Sequence, residues 1–139
     1  MNSYSILSRW VAGSMVLLLC VGASAASQEE LEKLSAPGLL VAATKVMAAE
    51  DYGAAIPYLN AYLDRMSTAT DDRVLAMTQE VRFKLGKIAA YLEDSTSAAA
   101  YFKNYTEHLP LYRPREAFKL LAVNLYLAGQ YEECVVAAT

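Results

Sequence analysis

Few residues of this 139-residue chain belong to the types that perform catalysis or bind metal ions. The chain has one histidine, His108, and two cysteines, Cys20 and Cys134. A metal site or a catalytic base needs partner side chains, and no second histidine exists to assist the first. His108 also precedes a Leu-Pro pair at the predicted end of a helix, where a positive or hydrogen-bonding side chain caps free carbonyl groups. The sequence therefore favours a capping role for His108.

Three acidic pairs are the other candidates, because paired carboxylates can perform acid–base catalysis. They are Glu50-Asp51, Glu93-Asp94 and Glu132-Glu133. Each pair falls just before, or in the first turn of, a predicted helix, where acids oppose the helix dipole and satisfy free N–H groups. The sequence has no glycine-rich phosphate loop, nucleophile elbow or metal-ligand spacing. We therefore expect no enzyme activity, cofactor, metal or small-molecule substrate.

Residues 1–25 have the pattern of a secretory signal peptide. Arg9 is their only charge, an apolar run spans Val11 to Val21, and Ala23-Ser24-Ala25 supplies a small-x-small cleavage site. The apolar run is too short for a comfortable membrane span of about 20 residues. The pattern predicts a secreted or periplasmic protein, with an uncleaved membrane anchor as the alternative. Cys20 raises a lipoprotein as a less favoured alternative, because the residue before it is not small.

Charge and length limit the class of protein further. Removal of residues 1–25 would leave 11 basic residues (12 minus Arg9) and 15 acidic residues, a net charge of −4. These charges are mixed and form no basic stripe, so we expect no nucleic-acid partner. The remaining 114 residues (139 minus 25) suffice for one small domain. Cys134 would then be the one cysteine left, which excludes an internal disulfide and favours a small buried residue.

One segment pattern occurs three times along the chain. The copies are Asp51–Leu63, Asp94–Thr106 and Gln130–Thr139, offset by 43 residues (94 minus 51) and then by 36 (130 minus 94). In each copy a small residue is followed four positions later by a second apolar residue: Ala55 and Leu59, Ala98 and Phe102, Cys134 and Ala138. A supersecondary unit repeated in this way is typical of repeat architectures.

Apolar residues at helical spacing predict six helices and no strands. We expect them at about 36–49, from the turn at 50–51 to about 66, at 72–92, 95–107 and 114–128, and from residue 130 onward. The polar residues 26–35 are expected to be a lead-in, either frayed or a short helical start. Gly86 lies within the third helix, where glycine costs about 1 kcal/mol relative to alanine. We therefore expect another helix to cross closely at that point.

Leu85-Gly86 in one helix, Ala98 and Phe102 in the next, and Pro110 at the close resemble one unit of the tetratricopeptide repeat (TPR) family. The resemblance implies an all-α solenoid of antiparallel helix pairs, wound as a right-handed superhelix, with units at 36–70, 71–110 and an incomplete 111–139. The offsets of 43 and 36 depart from the family's spacing of 34. The implied repeat-packing residues are Ala55, Leu59, Leu85, Gly86, Ala98, Phe102, Pro110 and Cys134.

The resemblance also implies a concave groove lined by the first helix of each unit. The groove positions are Thr44, Met47, Phe83, Lys87, Tyr91, Lys119, Val123 and Tyr126. Aromatic rings interleaved with lysines suit an extended or helical peptide of some acidic character. The alternative is that these residues are ordinary solvated or inter-repeat positions.

The sequence therefore favours an exported module for protein or peptide interaction, for example in cell-envelope assembly. One alternative is the N-terminal accessory domain of a larger enzyme or complex subunit, since the third unit stops before its second helix is complete. Another is a structural protein that self-associates through its fifth and sixth predicted helices. A lipid carrier is less favoured, because stacked helix pairs form an open groove and not a closed apolar cavity.

Overall fold

The computed structural model describes residues 26–138, and every regular element within that range is an α-helix. The seven helices are α1 (Gln28–Lys33), α2 (Ala36–Ala48), α3 (Tyr52–Arg65), α4 (Asp72–Tyr91), α5 (Ser95–Thr106), α6 (Pro114–Leu127) and α7 (Tyr131–Ala138). The prediction of an all-α protein is therefore confirmed for these residues. The predicted signal peptide at 1–25, including Cys20, lies outside the described part of the chain.

The predicted lead-in contains a helix of its own, α1. The side chain of Leu31, within α1, is buried. Arg65, at the end of α3, donates through Nη2 to the carbonyl oxygens of Leu31 at 3.0 Å and Glu32 at 3.3 Å. Because those carbonyls stand at the end of α1, the guanidinium caps this short helix and holds it against α3.

Short polar side chains fix where the helices begin. The side-chain oxygens of Ser27, Ser35, Asp51, Asp71 and Asp94 each accept a hydrogen bond from a backbone N–H in the first turn of the following helix. Helix α6 has no such bond and begins instead with Pro114, which needs no N–H partner at that position. These caps explain why helices α2 to α6 start close to the positions predicted from the sequence.

The turns within the helix pairs α2–α3, α4–α5 and α6–α7 have the same backbone conformation. Glu50, Glu93 and Gly129 have positive φ values of 61°, 60° and 75°. In each turn the next residue donates its N–H to a carbonyl five positions earlier: Asp51 to Val46 at 3.0 Å, Asp94 to Ala89 at 3.0 Å and Gln130 to Leu125 at 2.8 Å. This is the Schellman type of helix end. The repeat found in the sequence is therefore also a repeat of backbone structure.

The helices pack mainly against their neighbours along the chain. The principal contacts join consecutive helices from α2 to α7, and α1 contacts α3. Two clusters of buried side chains result, one centred on α2, α3 and α4 and the other on α4, α5 and α6. None of the helices within residues 26–138 is both long and apolar enough to cross a membrane.

Six of the eight predicted repeat-packing residues are buried: Ala55, Leu59, Leu85, Gly86, Ala98 and Phe102. Gly86 has the close approach expected of it, because a Cβ atom added there would lie 2.7 Å from Cε1 of Phe102. Cys134 is half-buried against the second cluster, and its Sγ donates to the carbonyl oxygen of Ala122 at 3.2 Å. A thiol in that position behaves as a small packing residue.

Pro110 requires a correction, because it does not pack between units. Its side chain is exposed, and its contribution is the backbone carbonyl, which accepts a hydrogen bond from Nε2 of Gln79 at 3.1 Å. Residues 107–110 are all exposed, so this part of the connection between α5 and α6 lies at the surface. Pro110 therefore follows the end of α5 without serving as a packing residue.

Candidate peptide-binding cleft

A cleft of about 310 Å³ lies along α4, beside the junction of α2 and α3, and we call it the α4 cleft. Its lining residues come from three helices and from the residue that precedes α6. They are Met47, Tyr52, Glu80, Phe83, Lys84, Lys87, Ile88, Tyr91 and Arg113. The six lining residues on α4 follow one another at intervals of three or one positions along the chain. Successive turns of this single helix therefore form one continuous wall of the cleft.

Two tyrosines form the apolar end of the α4 cleft. The rings of Tyr52 and Tyr91 meet edge to face, with centroids 4.8 Å apart and planes inclined by 61°. Tyr91 is 70% exposed, whereas Tyr52 is half-buried. The contact holds Tyr91 in a defined orientation while most of its surface stays open to a ligand. Aromatic rings presented in this way provide apolar contact at small conformational cost.

The floor of the cleft is Phe83, which corrects the prediction of an accessible ring in the groove. Phe83 is only 2% exposed. It packs edge to face against Phe102 and Tyr105 of α5, with centroids 5.6 Å and 5.3 Å away. Cζ of Arg113 lies 5.2 Å from the centre of the same ring. Because α5 and Arg113 cover both sides of the ring, Phe83 belongs to the core and only closes the cleft from below.

The charged residues of the α4 cleft are mostly basic. Lys84, Lys87 and Arg113 oppose a single acid, Glu80, which gives a net charge of +2 (three minus one). Nη2 of Arg113 lies 3.7 Å from Oε2 of Glu80, and both side chains are about half exposed. An ion pair of this length and exposure is weak. The cleft therefore has a local positive charge within a chain whose net charge is −3.

Two buried polar side chains, those of Tyr105 and Gln79, hold Arg113 in place. The hydroxyl of Tyr105 accepts hydrogen bonds from the backbone N–H groups of Tyr112 at 3.2 Å and Arg113 at 3.1 Å. Nε2 of Gln79 donates to the carbonyl oxygens of Tyr105, His108 and Pro110 at 3.3, 2.5 and 3.1 Å. Gln79 is completely buried, so it fixes the whole connection between α5 and α6.

The eight predicted groove residues divide into two sets of four. Met47, Phe83, Lys87 and Tyr91 line the α4 cleft, whereas Thr44, Lys119, Val123 and Tyr126 do not. The hydroxyl of Thr44 donates to the carbonyl oxygen of Leu40 at 2.8 Å, and the three α6 residues are exposed. Five cleft residues were not predicted, namely Tyr52, Glu80, Lys84, Ile88 and Arg113. Three of them lie on α4 beside the predicted positions, whereas Tyr52 begins α3 and Arg113 belongs to the connection before α6, where the spacing of first helices does not point.

His108 and two of the three acidic pairs lie at helix ends. Nδ1 of His108 lies 2.7 Å from the carbonyl oxygen of Asn104, at the exposed end of α5. Asp51 and Asp94 cap α3 and α5. The hydrogen bonds from Ser97 lower the pKa of Asp94 below its ordinary value of 3.8. Within residues 26–138, no group of three or more histidine, cysteine or acidic side chains is placed to hold a metal ion.

Comparison with known proteins finds no match for this chain among protein-family models, curated proteins or solved structures. The likeness to tetratricopeptide repeats therefore rests on the residues quoted above. Among the surfaces of residues 26–138, the α4 cleft combines exposed aromatic area with unneutralised charge.

Proposed function

We propose that the chain is an exported, TPR-like scaffold that binds a protein or peptide partner of acidic character in the α4 cleft. The observation that carries the proposal is the combination of the Tyr52–Tyr91 pair with a net charge of +2 in one cleft. Its scaffold part, a right-handed solenoid of helix pairs, is supported by the three equivalent turns and by the contacts between consecutive helices. Export is supported by the leader pattern of residues 1–25.

The composition of the cleft defines the chemistry of the partner. Tyr91 and the half-buried Met47 offer apolar surface to a large side chain, such as a phenylalanine or leucine. Lys84 and Lys87 lie about one turn of α4 apart, next to that surface. There they attract a carboxylate at the neighbouring position of the ligand. A volume of about 310 Å³ accommodates a short peptide segment and not a whole folded domain. The preferred ligand is therefore a segment that places an aspartate or glutamate beside a large apolar residue.

Fluorescence anisotropy with two labelled peptides tests this function. One peptide alternates glutamate with phenylalanine and leucine, and the other has every glutamate replaced by lysine. We expect the protein to bind the acidic peptide at least about tenfold more tightly, with the affinity falling as salt is added, because charges at an open cleft are screened. The proposal is wrong if the two peptides bind equally or if neither binds.

Variants of the cleft locate the binding. The double variant Lys84→Ala/Lys87→Ala should bind the acidic peptide about tenfold more weakly than the wild type, and so should the single variant Tyr91→Ala. Both variants should keep the wild-type helix content by circular dichroism. Lys45→Ala is the matched control, because Lys45 is an exposed lysine on α2 that does not line the cleft. Equal losses in Lys45→Ala and in the double variant would place the binding elsewhere.

Self-association is the second candidate, and one observation favours it. Seven of the thirteen exposed large apolar side chains in residues 26–138 lie on α6 and α7: Phe118, Val123, Tyr126, Leu127, Tyr131, Val135 and Val136. Exposed apolar surface concentrated on neighbouring helices favours an interaction surface. Light scattering over a hundredfold range of concentration separates the candidates. A mass that rises with concentration, and that returns to the monomer value in Phe118→Ser, would favour self-association over a monomeric peptide binder.

A further inference from the structure

A second polar cleft, of about 400 Å³, lies between α3 and α5 and shares no lining residue with the α4 cleft. We call it the Arg82 cleft, since Arg82 of α4 is its only basic residue. Its other lining residues are Asn60, Leu63, Asp64, Ser67, Ala100, Tyr101 and Asn104. The amide of Asn60 donates to the hydroxyl of Tyr101 at 3.0 Å, and this bond joins α3 to α5 across the cleft.

The repeat provides an internal comparison for this cleft. A cleft at the next position along the chain lies between α5 and α7, and its lining includes Lys103, Glu107, Phe118 and Ala137. The offset of 43 relates Asn60 to Lys103 and Asp64 to Glu107, and the offset of 36 relates Arg82 to Phe118 and Tyr101 to Ala137. The two clefts are therefore equivalent places in successive units. Because phenylalanine serves at the second place, the scaffold does not itself require a guanidinium at the first.

The guanidinium of Arg82 is only partly satisfied by the protein. Its Nη1 donates to Oε1 of Gln79 at 3.0 Å, which accounts for one edge of the group. Its Nε is buried and has no hydrogen-bond partner within residues 26–138. Asp64 lines the same cleft and makes no ion pair with Arg82. Burial lowers the pKa of Arg82, and no neighbouring carboxylate offsets that effect. A partly buried charge without a counter-ion is costly unless something binds to it.

We propose that the Arg82 cleft binds a carboxylate group, held by the edge of the guanidinium that faces away from Gln79. A planar carboxylate accepts two parallel hydrogen bonds from such an edge. Because Nε is buried, an incoming carboxylate would meet Nη2 first, and the side chain would have to turn for Nε to donate as well. The amide of Asn104 lines the same cleft and supplies a further donor. The carboxylate is recognised as a group, whether it is a free small acid or the side chain of a bound segment.

NMR on the ¹⁵N-labelled protein tests this site directly. The arginine Nε–Hε cross-peaks are followed during titration with sodium acetate, and again with sodium chloride at matched ionic strength. Arg82→Lys identifies the Arg82 peak by removing it. We expect acetate to shift that peak in a saturable manner, whereas chloride does not and the exposed Arg115 shows neither response. A blocked glutamate peptide and inorganic phosphate, titrated in parallel, distinguish a side-chain carboxylate and a tetrahedral anion from a free acid.

Two substitutions on exposed residues should move the affinity in opposite directions. Asp64→Asn removes the one acid of the cleft and should tighten acetate binding about threefold, because a like charge no longer repels the ligand. Asn104→Ala removes a donor and should weaken binding several-fold.

A shift that is linear in salt, equal for chloride, or unchanged in both variants would overturn the proposal and leave Arg82 as a partner of Gln79 alone. Acetate should also raise the melting temperature of the wild-type protein, and Arg82→Phe, which copies the equivalent Phe118, should keep the wild-type circular dichroism spectrum and lose that increase.

Discussion

At the scale of single residues, the contact between Gly86 and Phe102 limits how closely α4 and α5 approach. The equivalent positions differ in a correlated way. In the first unit the equivalent residues, by the offset of 43, are Ala43 and Leu59, which belong to one buried cluster. The residue on α2 is therefore larger than glycine, and the residue on α3 is smaller than phenylalanine. In the middle unit the smallest of these residues, Gly86, packs against the largest, Phe102. Complementary sizes of this kind keep the packing density of a core constant while its sequence changes.

Gly86→Ala should therefore destabilise the protein. The new Cβ would lie 2.7 to 2.8 Å from three atoms of the Phe102 ring, which is itself fully buried and has little room to move. We expect a loss of about 1–3 kcal/mol in the free energy of unfolding, measured by urea denaturation. Gly53→Ala is the matched control, since its nearest neighbour would be 3.9 Å away, and it should be neutral or slightly stabilising. Adding Phe102→Leu to Gly86→Ala should restore part of the loss, and a failure to do so would argue against the ring as the cause.

Gln79 is the second residue whose replacement tests the structure. Gln79→Leu has a similar volume but leaves three carbonyl oxygens without their shared donor, and Nη1 of Arg82 without its acceptor. We expect a loss of at least about 2 kcal/mol in unfolding free energy. Hydrogen exchange at the amides of Tyr112 and Arg113 should also become faster, because the connection before α6 loosens.

The exposed Gln28→Leu serves as the control for that change and should alter stability by less than about 0.5 kcal/mol. Since Arg113 lines the α4 cleft, Gln79→Leu should also weaken the binding of the acidic peptide. A variant that is as stable as wild type and exchanges at the same rate would show that the connection is held by other contacts.

At the scale of elements, the three turns within helix pairs use different residues for one backbone conformation. Glycine adopts positive φ without steric cost, whereas glutamate does so at about 1–2 kcal/mol. Glu50→Gly and Glu93→Gly should each stabilise the protein by up to about 1 kcal/mol, after the added entropy of the unfolded chain is subtracted. Gly129→Ala should destabilise it, although nothing lies within 4 Å of the added Cβ. Thermal unfolding of the three single variants measures these effects.

Glu107→Gly separates backbone strain from the general effect of glycine. Glu107 ends α5 with a φ of −83°, where an ordinary residue is unstrained. Glycine should therefore destabilise the protein there. If Glu50→Gly and Glu107→Gly changed stability in the same direction, the left-handed conformation of the turns would not be the cause.

The cap of α5 adds a pH-dependent contribution. Hydrogen bonds from Ser97 lower the pKa of Asp94 in the folded protein. The stabilisation from this carboxylate is therefore complete above its unfolded pKa and is lost as the pH falls through the lower folded value. The difference in melting temperature between wild type and Asp94→Ala should be largest near neutral pH and should shrink only below about pH 4. A difference that is constant down to pH 2 would contradict this assignment.

At the scale of the whole molecule, the sequence predicted what depends on local chemistry. The apolar spacing, the acidic residues Asp51 and Asp94 and the glycine at 86 were enough to place most helices and one close crossing. The burial of Phe83 could not be predicted, because it depends on how far α5 and Arg113 extend over one face of α4. Gln79 was missed for a similar reason: a polar residue at a buried helical position has meaning only when the carbonyls that it serves, 26 or more residues away, are known.

Helix α4 joins the two hydrophobic clusters, and this arrangement predicts how the molecule unfolds. Val81, Leu85 and Ile88 belong to the first cluster, while Phe83 and Ala89 belong to the second. Neither cluster can lose its contacts with α4 without exposing part of the other. We therefore expect α2 to α6 to open as one cooperative unit. Helix α7, in which no residue is fully buried, should exchange its amides faster than the rest.

Hydrogen exchange with mass spectrometry on two core variants tests this coupling. Leu59→Ala lies in the first cluster and Leu121→Ala in the second, and each should cost about 2–5 kcal/mol. Each should lower protection throughout α2 to α6, including the cluster it does not touch. Leu127→Ala, at a position 64% exposed, should change protection little. Loss of protection confined to the mutated cluster would mean that the units open independently, and that α4 separates the two cores instead of coupling them.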